Sequence, residues 1–310
     1  MVGVSGKTEF MFLPGSNSPI SMFVPSTLEQ LDLRKFQEID EPLARFDFPR
    51  VAVALLPYCV SGTWATGHEW KLDQPLTNVA FSPEVLEVCK CLSGSSAIFP
   101  ADNGELLMFR QRVGLSSVDF RLGPSWIGGD TPLTAQYVGP SASRVEDLMA
   151  DCFRFLKSGT RISLVSIAIF VMQFIHIHPF RGGNGKTVRC LALKAGMGSG
   201  RLSCLGVALS LMMNGRQQLL LSWWRQAYQG DLEGYLWKMS RLIGKVSTLA
   251  DSMEADSMKT GAVAGADGAV NGKIRVVPVT TTSEHVRLAL SEFLTNFYSY
   301  AESLSGTEEL

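Results

Sequence analysis

A chain of 310 residues is long enough for one large domain or two modest ones, and for a sizeable core that needs no metal or disulfide staple. Its 28 Lys and Arg nearly cancel 29 Asp and Glu, leaving a formal charge of -1, so neither nucleic acid nor an anionic membrane is expected as a partner and any anion site must be local. The six cysteines, Cys59, Cys89, Cys91, Cys152, Cys190 and Cys204, form no CxxC pair. Cys89 and Cys91, two apart, suit no bridge, so a reducing, cytoplasmic setting is the simpler expectation.

The first residues, MVGVSGKTEFMFLPG, lack the basic segment and long apolar run of a secretory leader, and Val2 stands where N-myristoylation requires glycine. Residues 1–50 mix Pro, Gly and Ser with short apolar pieces, and a helix is expected only over 26–45, where Leu28, Leu31, Leu33 and Phe36 recur. Over 51–99 the run VAVALLPYCV is interrupted by Pro57, while 82–92 reads as a helix with Ser82 as N-cap and Pro83 at its first position. Between residues 106 and 137 the signals turn to β-branched and aromatic residues around glycine-rich turns, and RLGPSWIGGDTPLTAQYV predicts a short hairpin. The segment SASRVEDLMADCFRFLKSG then predicts an amphipathic helix. Ser143 and Glu146 form its capping box, Val145, Leu148, Met149, Cys152 and Phe155 its apolar face, and Gly159 its stop.

The most apolar stretch, residues 162–177, is shorter than the about 20 residues a bilayer span takes, and it carries Gln173 and His176 before Pro179. It reads as a buried central helix over 161–176. A second helix over 184–195 carries Val188, Leu191 and Leu193, and further helices are expected at 205–213, 215–229 and 232–252. Residues 257–272, small and glycine-rich, read as a flexible linker, followed by a strand in KIRVVPV and a helix over 283–304. The division expected is an extension at 1–104, a central domain at 105–256, the linker, and a strand-helix segment at 273–310.

The chemistry concentrates between the two central helices. Gly182, Gly183 and Gly185 permit backbone conformations that let successive N–H groups converge on an anion. The helix that follows adds unpaired N–H groups and the positive end of its dipole. Lys186 and Arg189, three apart, share a helix face one turn on and can supply charge to neighbouring phosphates. Pro179 ends the preceding helix, so His178 sits at a helix terminus facing the anion site, where its imidazole can accept a proton from an attacking hydroxyl.

The run IHPFRGGNGKTVR resembles the signature of the Fic family, written HPF-x-(Asp or Glu)-GNGR-x-x-R, and matches it at His178, Pro179, Phe180, Gly183, Asn184, Gly185 and Arg189. SWIGG with QYVGP upstream is similar to the family's target-binding flap, here Ser125, Trp126, Ile127, Gly128 and Gly129, and the likeness extends over about residues 105–245. The resemblance implies a mainly α-helical, Fic-like bundle with a small β-hairpin flap. It also implies transfer of a nucleotide monophosphate, most simply AMP from ATP, to a Ser, Thr or Tyr hydroxyl of a target protein. In that reading His178 is the base, Asn184 and the loop amides of Gly183 and Gly185 hold phosphates together with Lys186, Arg189 contacts the terminal phosphate, and Pro179 and Phe180 are structural.

Two positions depart from the signature. Gly182 replaces the acid that holds Mg2+, so no metal ligand is expected in the loop, and Lys186 replaces the first arginine, keeping charge without the bidentate fork. Arg181, beside the missing acid, is the candidate to stand in for the metal's charge. These departures leave two alternatives to AMP transfer: a weakly active or inactive module that binds a nucleotide or a protein partner, and transfer of another phosphate-linked group.

Overall fold

The computed structural model describes residues 5–12, 19–28, 31, 33–36, 39, 59, 87–89, 91–92, 99–115, 119–135, 137–158, 163–196, 200–260 and 284–305. It is mainly helical, with two small antiparallel pairs of strands: β1 (Gly6–Phe12) with β2 (Pro19–Pro25), and β3 (Trp126–Ile127) with β4 (Tyr137–Val138). The helices are α1 (Asn103–Arg112), α2 (Ala142–Ser158), α3 (Leu164–Ile177), α4 (Asn184–Gly196), α5 (Gly200–Gly215), α6 (Gln217–Tyr228), α7 (Leu232–Thr260) and α8 (Glu284–Ser303). Contacts group the chain into two compact units, one of Met1–Gln37, Pro100–Val188 and Trp223–Tyr235, the other of Glu38–Phe99, Arg189–Ser222 and Leu236–Leu310.

The first unit is built around α3, every residue of which is buried. An apolar run with no polar face needs cover on all sides. Ser163 caps α3 in a reciprocal box with Ser166, which satisfies two otherwise orphaned amides. The whole predicted apolar face of α2 is buried, and Phe153 meets Phe170 of α3 with ring centroids 5.6 Å apart. Ser143 is not the cap of α2: the helix already runs from Ala142, and the Arg144 amide bonds to the Ser141 carbonyl. Buried Asp151 instead reaches out of α2 to accept the Leu28 amide at 2.8 Å.

The β1–β2 hairpin, whose register runs from Gly6 opposite Pro25 to Phe12 opposite Pro19, is grouped by its contacts with this unit. Ile20 and Met22, on alternate positions of β2, form a buried cluster with Val138 of β4, and Trp126 and Ala135 pack against it. The hairpin therefore backs the second, shorter one. Helix α1 was not predicted, and its Leu106, Phe109 and Arg110 form the buried face.

In the second unit α4 and α5 approach closely, because a Cβ on Gly206 would stand 2.7 Å from the Ala192 carbonyl oxygen. Helix α8 is fixed to α5 by Tyr298, whose hydroxyl donates to the Leu211 carbonyl at 3.1 Å, and by Arg216, which stacks on the Tyr298 ring and pairs with Glu302 at 2.7 Å. The C-terminal helix is thus part of this unit. Helix α7 extends through the first residues of the expected linker to Thr260. The remainder of that linker, the expected strand at 273–279 and most of the expected helices at 26–45 and 82–92 lie outside the described residues. Among the described residues no helix is long and apolar enough to cross a membrane, and none of the six cysteines is joined in a disulfide.

Candidate active site

His178 is the C-cap of α3 and stands in the left-handed region, with φ 49° and ψ 60°. A non-glycine residue there carries a strain of about 1–3 kcal/mol, sustained only where the surroundings over-determine it. Here its own N–H bonds back to the Phe174 carbonyl at 3.0 Å, and its carbonyl accepts Arg121 Nε at 2.8 Å. The ring is fixed as well. Nδ1 lies 3.3 Å from the Ile175 carbonyl oxygen, which can only accept, so Nδ1 carries the proton and Nε2 keeps its lone pair. Burial disfavours the charged ring and holds its pKa well down, at about 4. The Ile175 bond opposes that shift, and the Arg121 charge adds to it. The imidazole is therefore neutral at pH 7, the form that accepts a proton.

Beyond His178 the loop turns on Phe180 and Asn184. Phe180 is fully buried against Phe120 and Phe174, with centroids 5.4 and 6.2 Å away. Asn184, also buried, closes the turn: its Oδ1 accepts the Phe180 amide at 2.9 Å and its Nδ2 donates to the Phe180 carbonyl at 2.8 Å. The oxygen and one N–H of that carboxamide are engaged within the loop, so the side chain shapes the cradle.

Arg110 of α1, 1% exposed, is the residue the sequence reading missed at this site. Its guanidinium lies 3.6 Å from the centroid of the Phe180 ring and donates to the Gly182 carbonyl at 3.2 Å, to the Gly183 carbonyl at 3.5 Å and to Thr187 Oγ1. In a trans peptide the carbonyl and the following N–H point opposite ways. With the carbonyls of Gly182 and Gly183 drawn toward Arg110, the amides of Gly183 and Asn184 face away from it. They join the first amides of α4, which have no acceptor within their own helix, as backbone donors of the kind that bind phosphate. Burial lowers the Arg110 pKa to about 10, so it remains a cation at neutral pH.

The remaining predicted residues fall around this frame. Arg181 and Gly182 are exposed, and Gly185 and Lys186 are half-buried at the start of α4. Gly183 has φ 75°, a conformation that favours glycine. Arg189 falls in the second unit, half-buried, and its Nε has no hydrogen-bond partner among the described residues. No acid occurs between residues 178 and 189, and among the described residues no cluster of three or more His, Cys, Asp or Glu could hold a metal. The loop thus does not fit a divalent cation held by its own side chains.

The predicted flap is the β3–β4 pair, with Trp126 opposite Val138 and Ile127 opposite Tyr137. Gly128 and Gly129, with φ of 70° and 74°, make its turn. At Gly129 glycine is required twice over, since a Cβ would stand 2.4 Å from the Thr134 carbonyl oxygen. Ser125 extends the pairing by accepting the Gly139 amide at 2.9 Å.

His176, the other histidine of the segment, is structural. Its Nδ1 bonds to the Met172 carbonyl at 2.8 Å and its ring is enclosed by Phe23, Tyr137, Trp224 and Tyr228. Burial lowers its pKa to about 4. An unfolded imidazole takes up a proton near pH 6.5 and the folded one only near 4, so the unfolded state binds more protons between those values and stability falls as pH drops through that window. Denaturant unfolding at stepped pH should show this loss, and His176→Gln should flatten the slope between pH 6.5 and 5. An unchanged slope would place the acid sensitivity elsewhere.

Residues 116–195 match the model of the Fic/DOC family. Among solved structures, a Fic family protein from Desulfovibrio desulfuricans G20 is similar to this chain with 17% sequence identity and a TM-score of 0.30, over 90% of this chain and 70% of its own. No curated protein sequence matches the chain.

Proposed function

We propose, from the premise that this chain carries a Fic domain, that it is a protein nucleotidyltransferase moving a nucleotide monophosphate, most simply AMP, from a nucleoside triphosphate to a target hydroxyl. The observation that carries the reading is the pairing of a neutral His178, its Nε2 unprotonated, with a glycine loop that presents amides and cations. The acceptor oxygen forms a bond to the α-phosphorus, the bond from that phosphorus to the bridging oxygen breaks, pyrophosphate leaves, and the hydroxyl proton passes to His178. Charge developing on the phosphoryl oxygens meets fixed donors, the amides of Gly183, Asn184 and Gly185, and the charge of Lys186. Arg181, exposed beside Gly182, supplies further positive charge at the loop's rim.

Intact-mass analysis of the protein and of candidate acceptor proteins, after incubation with each nucleoside triphosphate with and without Mg2+, tests this directly. Added mass of one nucleotide monophosphate is the expected result. The binding-module reading is favoured by one observation, the absence of any side chain at Gly182 to hold a metal, and it expects nucleotide affinity without added mass.

Among the described residues β3 has one partner strand, β4, which leaves its other edge able to register an extended segment of the acceptor by main-chain pairing. Proline at Trp126 or Ile127 removes an N–H from that strand. Either variant should lower acceptor modification by roughly tenfold, the size of about 1.4 kcal/mol, while nucleotide affinity holds. Unchanged modification would exclude strand addition at β3.

A further inference from the structure

Arg121 lies between the candidate base and the flap, and it is 5% exposed. Its Nε donates to the His178 carbonyl at 2.8 Å and its Nη2 to the Ile177 carbonyl at 3.2 Å, so two of the last carbonyls of α3 end on one guanidinium. The same group reaches both stems of the flap: Nη1 donates to the Gly123 carbonyl at 2.7 Å, just before β3, and Nη2 to the Pro140 carbonyl, just after β4. The Arg121 amide adds a bond to the Pro179 carbonyl at 2.9 Å. Among the described residues every hydrogen-bond acceptor of this side chain is a backbone carbonyl. A buried cation without a carboxylate is an expensive way to tie loops together. What it supplies is a planar, rigid fork whose donors fix three chain segments at set distances.

We propose that Arg121 is a positioning residue that sets the separation between the flap, which receives the acceptor, and the His178 imidazole. The inference rests on the transfer reading above for its consequence in catalysis, but not for its geometry. Attack of a hydroxyl on phosphorus tolerates little error in the placement of its base, and a displacement of about 1 Å can cost on the order of 100-fold in rate. Arg121 touches no reacting atom in this scheme. It acts by holding the left-handed turn at His178 and the two flap stems to a common rigid plane.

Two variants test it from opposite sides. Arg121→Lys keeps the charge but has a single ammonium in place of the fork. Gly139→Ala leaves Arg121 intact and sets a methyl group 3.4 Å from its Nη2 and from the Ile177 carbonyl oxygen. In Arg121→Lys, kcat should fall roughly 10- to 100-fold with the dissociation constant of the nucleotide within about twofold. Amide hydrogen exchange at Trp126, Ile127, Tyr137 and Val138 should quicken, and the His178 imidazole resonances should shift. Gly139→Ala should move the same three readouts in the same direction by less. A folded Arg121→Lys with unchanged kcat, flap exchange and imidazole resonances overturns the proposal. Should Arg121→Lys not fold, the same null result in Gly139→Ala overturns it instead. If the natural protein adds no nucleotide to any acceptor, the transfer reading falls, while exchange and imidazole shifts still decide whether Arg121 couples flap to base.

Discussion

On the proposed transfer reading, His178→Ala should lower transfer by roughly 10²- to 10⁴-fold, the contribution of a general base, while nucleotide affinity stays within a few-fold, because in that reading the imidazole acts on the acceptor hydroxyl and not on the phosphates. The left-handed backbone at this position disfavours alanine as it does histidine, so His178→Asn, whose side chain suits that conformation, is the companion variant that separates lost chemistry from a lost turn. Both should be equally inactive. The pH dependence carries a second signature. With burial holding the His178 pKa at about 4, the free protein has its base unprotonated throughout the neutral range. The profile of kcat/KM should then be flat from about pH 8 down to about 5.5 and fall only below that, in place of the limb near 6.5 of an ordinary imidazole. In kcat the limb should lie higher, since bound phosphates favour the cation. Full activity in both variants would remove His178 from the chemistry.

The central helices and the flap were legible in the sequence because they are local. The apolar run of α3, its end at Pro179, the glycine loop and the start of α4 at Asn184 are each signalled by neighbouring residues, and the structure places them as expected. The residues that give the site its shape were not so legible. Arg110 and Arg121 act across more than fifty positions of chain, on Gly182 and His178, and a charged residue read alone defaults to solvent. For Arg110 the signal was present: Leu106, Phe109 and Arg110 follow the i, i+3, i+4 spacing of one buried helix face. The β1–β2 hairpin also had a signal, the alternation in PISMFVP, but its partner cluster at Val138 and Trp126 lies more than a hundred residues away. Asn184 is expected as a phosphate ligand from its place in the motif; the motif does not report that its side chain also closes the turn onto the Phe180 peptide.

Gly182→Glu combined with Lys186→Arg should convert metal-indifferent nucleotide binding into binding and transfer that depend on a divalent cation. In the natural protein the loop offers anions only amides and cations, so nucleotide affinity should change little between Mg2+ and EDTA. The geometry favours the experiment. Gly182 is exposed and outside the left-handed region, and a Cβ built on it meets nothing within 4 Å, so a glutamate enters without strain. At Gly183, by contrast, φ is 75° and a Cβ would stand 3.4 Å from Leu115 Cδ2, so Gly183→Glu is the control expected to damage the loop. The Gly182 carbonyl remains free to bond to Arg110, so the amides behind it keep their direction. A carboxylate at position 182 can hold a cation against a diphosphate, and charge stabilisation of that kind amounts to several kcal/mol in a phosphoryl transition state. Lys186→Arg restores the fork that engages phosphate in two directions. The double variant should therefore bind nucleotide more tightly with Mg2+ than with EDTA and transfer on the order of 10²-fold faster than the natural chain. Strong Mg2+-dependent transfer by the natural protein would place a metal ligand outside the loop, and a folded double variant that binds nucleotide with Mg2+ but adds none to any acceptor would leave a binding module as the function of this domain.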